Sequence, residues 1–290
     1  MTSLLLATVF AAGFGLLIRV AQGMGANMVA VGAANYLTAM SVNAVLFLVG
    51  GAGAPRLTTV AIAIVGGATY ASAFFMVARL TLQRGASITG AVMRISTLIP
   101  VAVSLLAWGE RLSGWQAAGA AVALVSLPML TLKPGALRKG SPAGGTALAV
   151  GLFFLNGLCL LAPRAFRATE AVGEEAVFLA ILFATAALTL CTAWAVTERR
   201  APAERHPLLL DLLPGIAIGA CNAVQNRFMI SALQDLPGTL VYPFTAAVGL
   251  VITVAVARVA WRERFGALGA AGIALAVVAV VLVNIVTGSP

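Results

Sequence analysis

The chain has 290 residues, 61% of them hydrophobic and only 9% charged, with a formal net charge of +9. A soluble domain carries about 25% charged residues, so this chain cannot cover a water-facing surface and belongs in a lipid bilayer. The basic excess does not point to nucleic acid: most Lys and Arg fall at the ends of apolar segments, where they anchor membrane helices, and no basic face carries interleaved aromatics.

Ten apolar runs of at least 18 residues follow one another, each long enough to cross about 30 Å of hydrocarbon. The first covers 3–22 and ends in the turn Gly23-Met24-Gly25-Ala26-Asn27. No basic residue precedes it, so a retained membrane helix is expected and not a cleaved leader. The second covers 28–49 and stops at a Gly-rich break before Pro55. The third and fourth cover 57–82 and 86–107, and the fifth 115–132. A polar linker at 133–142 then forms the seam of the chain. The sixth run, 143–161, is expected to close at Pro163-Arg164. The seventh covers 175–196 and is followed by the charged segment 198–207, read as a solvated loop. The eighth, ninth and tenth cover 208–233, 238–259 and 267–286.

The chain repeats itself. Residues 108–119 and 261–272 share Trp108/Trp261, Glu110/Glu263, Arg111/Arg264, Ala117/Ala270, Ala118/Ala271 and Gly119/Gly272, all at an offset of 153. The match continues through Ala121/Ala274, Ala123/Ala276 and Val125/Val278. Phe10, Gly13, Leu16, Leu17 and Arg19 resemble Phe154, Gly157, Leu160, Leu161 and Arg164 with one inserted proline, and Gly67-Ala68 resembles Gly219-Ala220. A self-match at half the chain length marks a duplicated unit. The expected organisation is a first five-helix repeat at 1–135, a linker at 136–142 and a second repeat at 143–290. Five helices is an odd number, so the halves would enter the membrane in opposite senses. The expected fold is thus an all-α polytopic membrane protein of ten transmembrane helices in two inverted repeats, with a solute site near the midplane between them.

The paired signature Glu110-Arg111-Leu112 with Gly119, and Glu263-Arg264-Phe265 with Gly272, resembles the EamA-type proteins of the drug/metabolite transporter superfamily. The resemblance covers the whole chain. It implies a small-metabolite carrier in the membrane, and for a bacterial member the inner (plasma) membrane. Members include bacterial exporters of amino acids, as well as plastid and Golgi exchangers of phosphosugars and nucleotide sugars. Orientation is read two ways. Twelve Lys and Arg follow odd-numbered segments and four follow even-numbered ones, which puts both termini outside the cytoplasm. The resemblance implies termini inside it.

Arg94 is the sharpest candidate. It lies mid-segment, where an Arg facing lipid costs about 3 kcal/mol or more. It therefore either anchors a substrate carboxylate or phosphate through its guanidinium fork or bonds backbone carbonyls at a helix break near Pro100. Thr97 lies one turn on. Asn222, Gln225 and Asn226 share one helix face, with Arg227 at its border, either lining the same site or snorkelling towards an interface. Asn35, Tyr36, Tyr70, Phe74, Tyr242 and Thr245 complete the candidate lining. Each serves equally well in an interhelical contact. Trp108, Trp115, Trp194 and Trp261 read as interface residues.

The other observations narrow the chemistry. All nine acidic residues sit in loops or at helix ends, Asp211 coming nearest an interior, so no buried carboxylate is positioned to exchange a proton for a cationic drug. Cys159, Cys191 and Cys221 lie inside apolar runs and read as small buried residues. With one His, His206, no nucleophile–base pair or metal cluster is evident, so no enzyme activity, metal or cofactor is expected. The leading expectation is a secondary transporter (an exporter, facilitator or exchanger) of an amino acid or small organic acid working by alternating access. The alternatives are a multidrug or nucleotide/phosphosugar-type transporter, and a non-transporting scaffold. Small residues at spacing four in the fifth and tenth segments, such as Ala117 with Ala121 and Ala267 with Ala271, suggest packing or a homodimer seam.

Overall fold

The computed structural model describes residues 1–51, 53–84, 86–110, 113–131, 143–200 and 208–260, with residues 271, 272, 274, 275, 278, 279 and 282 beyond them. Among these, every regular element is an α-helix. In chain order they are α1 (Thr2–Gly23), α2 (Met28–Gly50), α3 (Leu57–Arg84), α4 (Ala86–Ile95), α5 (Leu98–Ala107), α6 (Gly114–Thr131), α7 (Ala143–Ala168), α8 (Glu175–Arg200), α9 (Leu208–Asp235) and α10 (Gly238–Ala260). Six of them (α1, α2, α3, α7, α8 and α9) are long and apolar enough to cross a membrane, and two shorter apolar stretches, Val92–Ala107 and Gly238–Thr253, accompany them. These helices suit an integral multi-pass membrane protein. The linker 133–142, the hinge residues Arg111, Glu263 and Arg264, and most of the tenth expected helix lie outside the described residues. Of that helix, Ala279 is buried against Ala247, beside Val122 and Val251.

Three expectations are corrected. The fourth segment is not one helix: it breaks at Ser96-Thr97 into α4 and α5. Pro100 has no N–H to bond Ser96 O, and the Ile99 N–H takes that carbonyl at 3.0 Å. The Ser96 hydroxyl bonds Met93 O at 2.6 Å and the Thr97 hydroxyl bonds Arg94 O, which also accepts the Thr97 N–H at 3.2 Å, so side chains supplement a tightened backbone turn at the break. The sixth segment does the reverse. It continues through Pro163 to Ala168 instead of stopping before it. The proline withholds one N–H from the turn, and the nearby Leu160 carbonyl accepts the Tyr242 hydroxyl of α10 at 2.7 Å. Finally, α8 runs on to Arg200, so the start of the segment expected as loop is helical.

Helix ends follow their local chemistry. Asn27 caps α2, its side-chain oxygen accepting the Val29 N–H at 3.0 Å. The Asn27 N–H is itself taken by Asp211 at 2.8 Å, so the acid nearest a helix interior serves a turn.

The two parts of the chain interleave. Helix α2 lies against α8 and α9, and α3 lies against α7 and α8. Helix α1 lies against α9 and α10, while α7 touches α4 and α5. Two crossings are made by glycine on bare backbone. A Cβ on Gly67 would strike the Leu182 carbonyl and come within 2.6 Å of Thr185 Cβ; one on Gly219 would strike the Asn35 carbonyl and come within 2.6 Å of Thr38 Cβ. Such residues let membrane helices approach closely where apolar burial alone gives no drive. Around the crossings an aromatic core closes. Phe166 stacks on Phe178 at 4.3 Å, and Phe183 meets both Tyr36 and Tyr70 at about 6 Å between ring centroids.

Candidate functional site

Helices α2, α3 and α9 bring one polar chain together. Asn222 donates to Asn35 Oδ1 at 3.1 Å. Asn226 donates to Asn222 Oδ1 at 2.8 Å and to its carbonyl at 3.0 Å. Tyr70 donates its hydroxyl to Asn226 Oδ1 at 2.8 Å, and Tyr36 donates to the Tyr70 carbonyl at 3.2 Å. Asn35, Asn222 and Asn226 are buried, whereas Tyr70 is half-buried. Buried amides need such partners, because an unmet donor or acceptor costs about 1–3 kcal/mol. Phe74 is buried with Tyr36 in the core and meets it edge-on at 6.1 Å.

The network is incomplete. Asn35 Nδ2, Gln225 Oε1 on α9 and Thr245 Oγ1 on α10 are buried with no hydrogen-bond partner among the described residues. Gln225 precedes Asn226, and Thr245 precedes the residue that holds Arg94. Each such atom in a folded interior calls for an explanation.

Arg94 lies in the last turn of α4, just before its final residue Ile95. Its guanidinium donates to Ala246 O on α10 at 3.0 Å and lies beside Gly249 of the same helix. An Arg offers five N–H donors, and this is the one hydrogen bond its side chain makes among the described residues. No hydrogen bond among them joins Arg94 to the asparagine chain. Arg227 is exposed and does not join the stripe either. The Thr97 hydroxyl is committed to the break and that of Tyr242 to Leu160.

Asn156 of α7 was missed by the sequence reading. It donates to Met93 O at 3.1 Å and to Ser96 Oγ at 2.5 Å, so it holds the break beside Arg94. Its signal was available: an Asn alone in an apolar run, at the position where the first half has Ala12.

At the bundle end where α5 and α7 finish, Glu110 accepts Arg164 Nε at 2.9 Å and both the amide and hydroxyl of Thr239, at 2.9 and 3.0 Å. The Arg164 guanidinium lies 4.6 Å from the Trp108 ring centroid, a cation–π contact. Burial raises the Glu110 pKa, but the Thr239 and Gly238 amides, Arg164 and the Thr239 hydroxyl outweigh it and hold the carboxyl below its ordinary value.

A crystal structure of another protein superposes on this one with a TM-score of 0.75 at 18% identity, over 98% of this chain and 99% of that one. The fold is therefore shared from end to end. No family model matches the chain, and no curated protein matches it.

Proposed function

We propose that this chain is a secondary carrier of a small metabolite, with an amino acid or small organic acid as the best-fitting solute. The observation that carries the reading is the unfinished polar interior. Among the described residues, Asn35, Gln225 and Thr245 each present a buried polar atom without a partner, and Arg94, bonded to the residue after Thr245, keeps donors uncommitted. A bundle that only packed would be more stable with apolar residues there. A solute carrying a carboxylate and further polar groups supplies both an anion for Arg94 and donors and acceptors for the amides. Among the described residues no cluster of Lys and Arg accompanies Arg94, which favours a carboxylate over a phosphorylated sugar.

Alternating access is supported by the duplication. In the ten-helix, inverted-repeat reading, the contact of α1 with α9 is the counterpart of that of α7 with α3, and α2–α9 is the counterpart of α3–α8. Both members of each pair are present. The Gly219 crossing on Asn35 and Thr38 likewise repeats the Gly67 crossing on Leu182 and Thr185. A broken helix with an Arg at the break suits a midplane site in such a plan. These features accord with the EamA-type resemblance of the sequence. A second reading, favoured by the Arg94–Ala246 hydrogen bond, makes Arg94 a tie between α4 and α10.

Counterflow in proteoliposomes tests both. Vesicles preloaded with a panel of amino acids and organic acids should drive labelled uptake for one class, and Arg94→Ala should abolish it while the protein stays folded. Uptake that survives Arg94→Ala makes Arg94 structural. No counterflow across the panel by correctly inserted protein overturns the carrier of small carboxylates and leaves a phosphorylated or cationic solute, or a scaffold.

A further inference from the structure

Helix α5 is a short lever, 10 residues long, or about 15 Å at 1.5 Å per residue. One end is the break at Ser96-Thr97. At the other, Gly109 takes a left-handed φ of 60°, which a glycine adopts without strain, and the Glu110 N–H turns back to Ser104 O at 3.3 Å. That turn aims the Glu110 carboxylate at the start of α10 and at α7. Among the described residues its donors are Arg164 Nε, the amide and hydroxyl of Thr239 and the Gly238 amide, all in the second half of the chain. The pair is shielded, with side-chain exposures of 7% for Glu110 and 17% for Arg164.

We propose that Glu110, Arg164 and Thr239 form a latch that holds α5 down on α7 and α10 and seals this end of the bundle. The first turn of α10 offers the latch a helix N-terminus, where a carboxylate is favoured, and Trp108 covers the guanidinium from the other side. Immediately inside, the seal is tight. A Cβ on Gly238 would lie 2.6 Å from Ser104 Oγ and 3.0 Å from the Tyr242 ring. Ser104 is fully buried, and its hydroxyl has no partner among the described residues, so it gives α5 no polar tie here to add to the latch. Among the described residues, releasing the carboxylate leaves α5 secured at the break and by apolar contacts. The consequence for transport, that the latch must open for solute to pass this end, rests on the carrier reading; the closed seal itself does not.

The test reads the seal directly. In full-length protein with Cys159, Cys191 and Cys221 replaced by Ala, Ser104→Cys puts a thiol just inside the latch. Reaction with a membrane-impermeant maleimide is followed in lipid nanodiscs, where both membrane faces are open to reagent. With the latch intact, labelling should be slow. Glu110→Gln and Arg164→Gln should each speed it about tenfold, the scale set by losing a hydrogen bond to a charged group. The double variant should be no faster than the faster single one, because partners in one interaction are not additive. Thr239→Val removes only a hydroxyl and gives a second reading should a charge variant fail to fold. Unchanged labelling in folded variants, or labelling already fast with the latch intact, overturns the latch. Counterflow on the same proteins separates the two ideas: flat labelling with active counterflow sinks the latch alone, and accelerated labelling with no counterflow sinks the carrier alone.

Discussion

Tyr70 and Asn226 meet at 2.8 Å across α3 and α9, and through that bond the amide chain of α9 is oriented. Asn226 Oδ1 accepts the hydroxyl, so its NH2 faces Asn222, and Asn222 in turn faces Asn35. Asn226→Leu removes the middle link and leaves two buried groups unmet. It should lower the stability of the purified protein by about 2–4 kcal/mol, from two unmet groups, read as a fall in thermal midpoint in detergent. Tyr70→Phe removes one hydroxyl and should cost about 1 kcal/mol. An Asn226→Leu protein as stable as the parent would show that the chain of amides is not needed for the fold.

The glycine crossings should be the least tolerant positions in the bundle. Gly219→Val and Gly67→Val drive side chains into backbone carbonyls, and overpacking of this kind costs about 1–3 kcal/mol and often more. Both should give little monodisperse protein by size-exclusion chromatography. Gly15 has nothing near its would-be Cβ, so Gly15→Ala should behave as the parent or gain about 0.5–1 kcal/mol from helix propensity.

Asn156 should act as a positioning residue for the break. Asn156→Ala removes the donor to Ser96 Oγ and the second donor to Met93 O, which keeps its bond from the Ser96 hydroxyl, and should cost about 1–3 kcal/mol of stability. If Arg94 contacts the solute, counterflow should fall in the same variant through a raised half-saturation concentration, with Asn156→Gln recovering part of it. Loss of stability with unchanged half-saturation would confine Asn156 to the fold.

The Glu110 latch fixes the sign of one pH effect. The folded carboxyl titrates below its ordinary value, which is about 4.3 in the unfolded chain. Its contribution to stability is therefore complete above that value and is lost as pH falls through the lower folded pKa. The thermal midpoint of the parent should exceed that of Glu110→Gln at neutral pH, and the gap should close in acid. A gap that widened in acid would contradict the assignment.

Hydropathy made most helix spans legible, since an apolar run of bilayer length has few alternatives. The stripe at Asn222 and Asn226 was legible too, because spacing four puts two side chains in touch on any helix. Its partner Asn35, 187 positions away, was named as a candidate, but nothing local joins it to Asn222. The break at Ser96-Thr97 was legible only as one of two readings, a helix break near Pro100 beside Arg94. Ser, Thr and Pro near one another leave a membrane helix either continuous or open, and the residue holding this one open, Asn156, is 60 positions away. Pro163 misled in the opposite direction, because its helix continues beside a bond from Tyr242 that only the tertiary fold supplies. Tyr36 and Phe74 look like lining residues by type, and burial among Phe183, Leu190 and their neighbours gives them a packing role in this structure.

At the crossing of α9 over α2, the glycine contributes no side chain, and part of what it meets is main chain. Main-chain atoms are the same whatever sequence surrounds them. The relative placement of these two helices is therefore insulated from the identities of the residues that line them a turn or two away. Asn222, Gln225 and Asn226 could be exchanged for other side chains without re-aiming α9, much as a lock is re-pinned without moving its housing. Two proteins with this frame could thus differ widely in the side chains of these helices while superposing closely, and the 18% identity at a TM-score of 0.75 fits a frame of that kind.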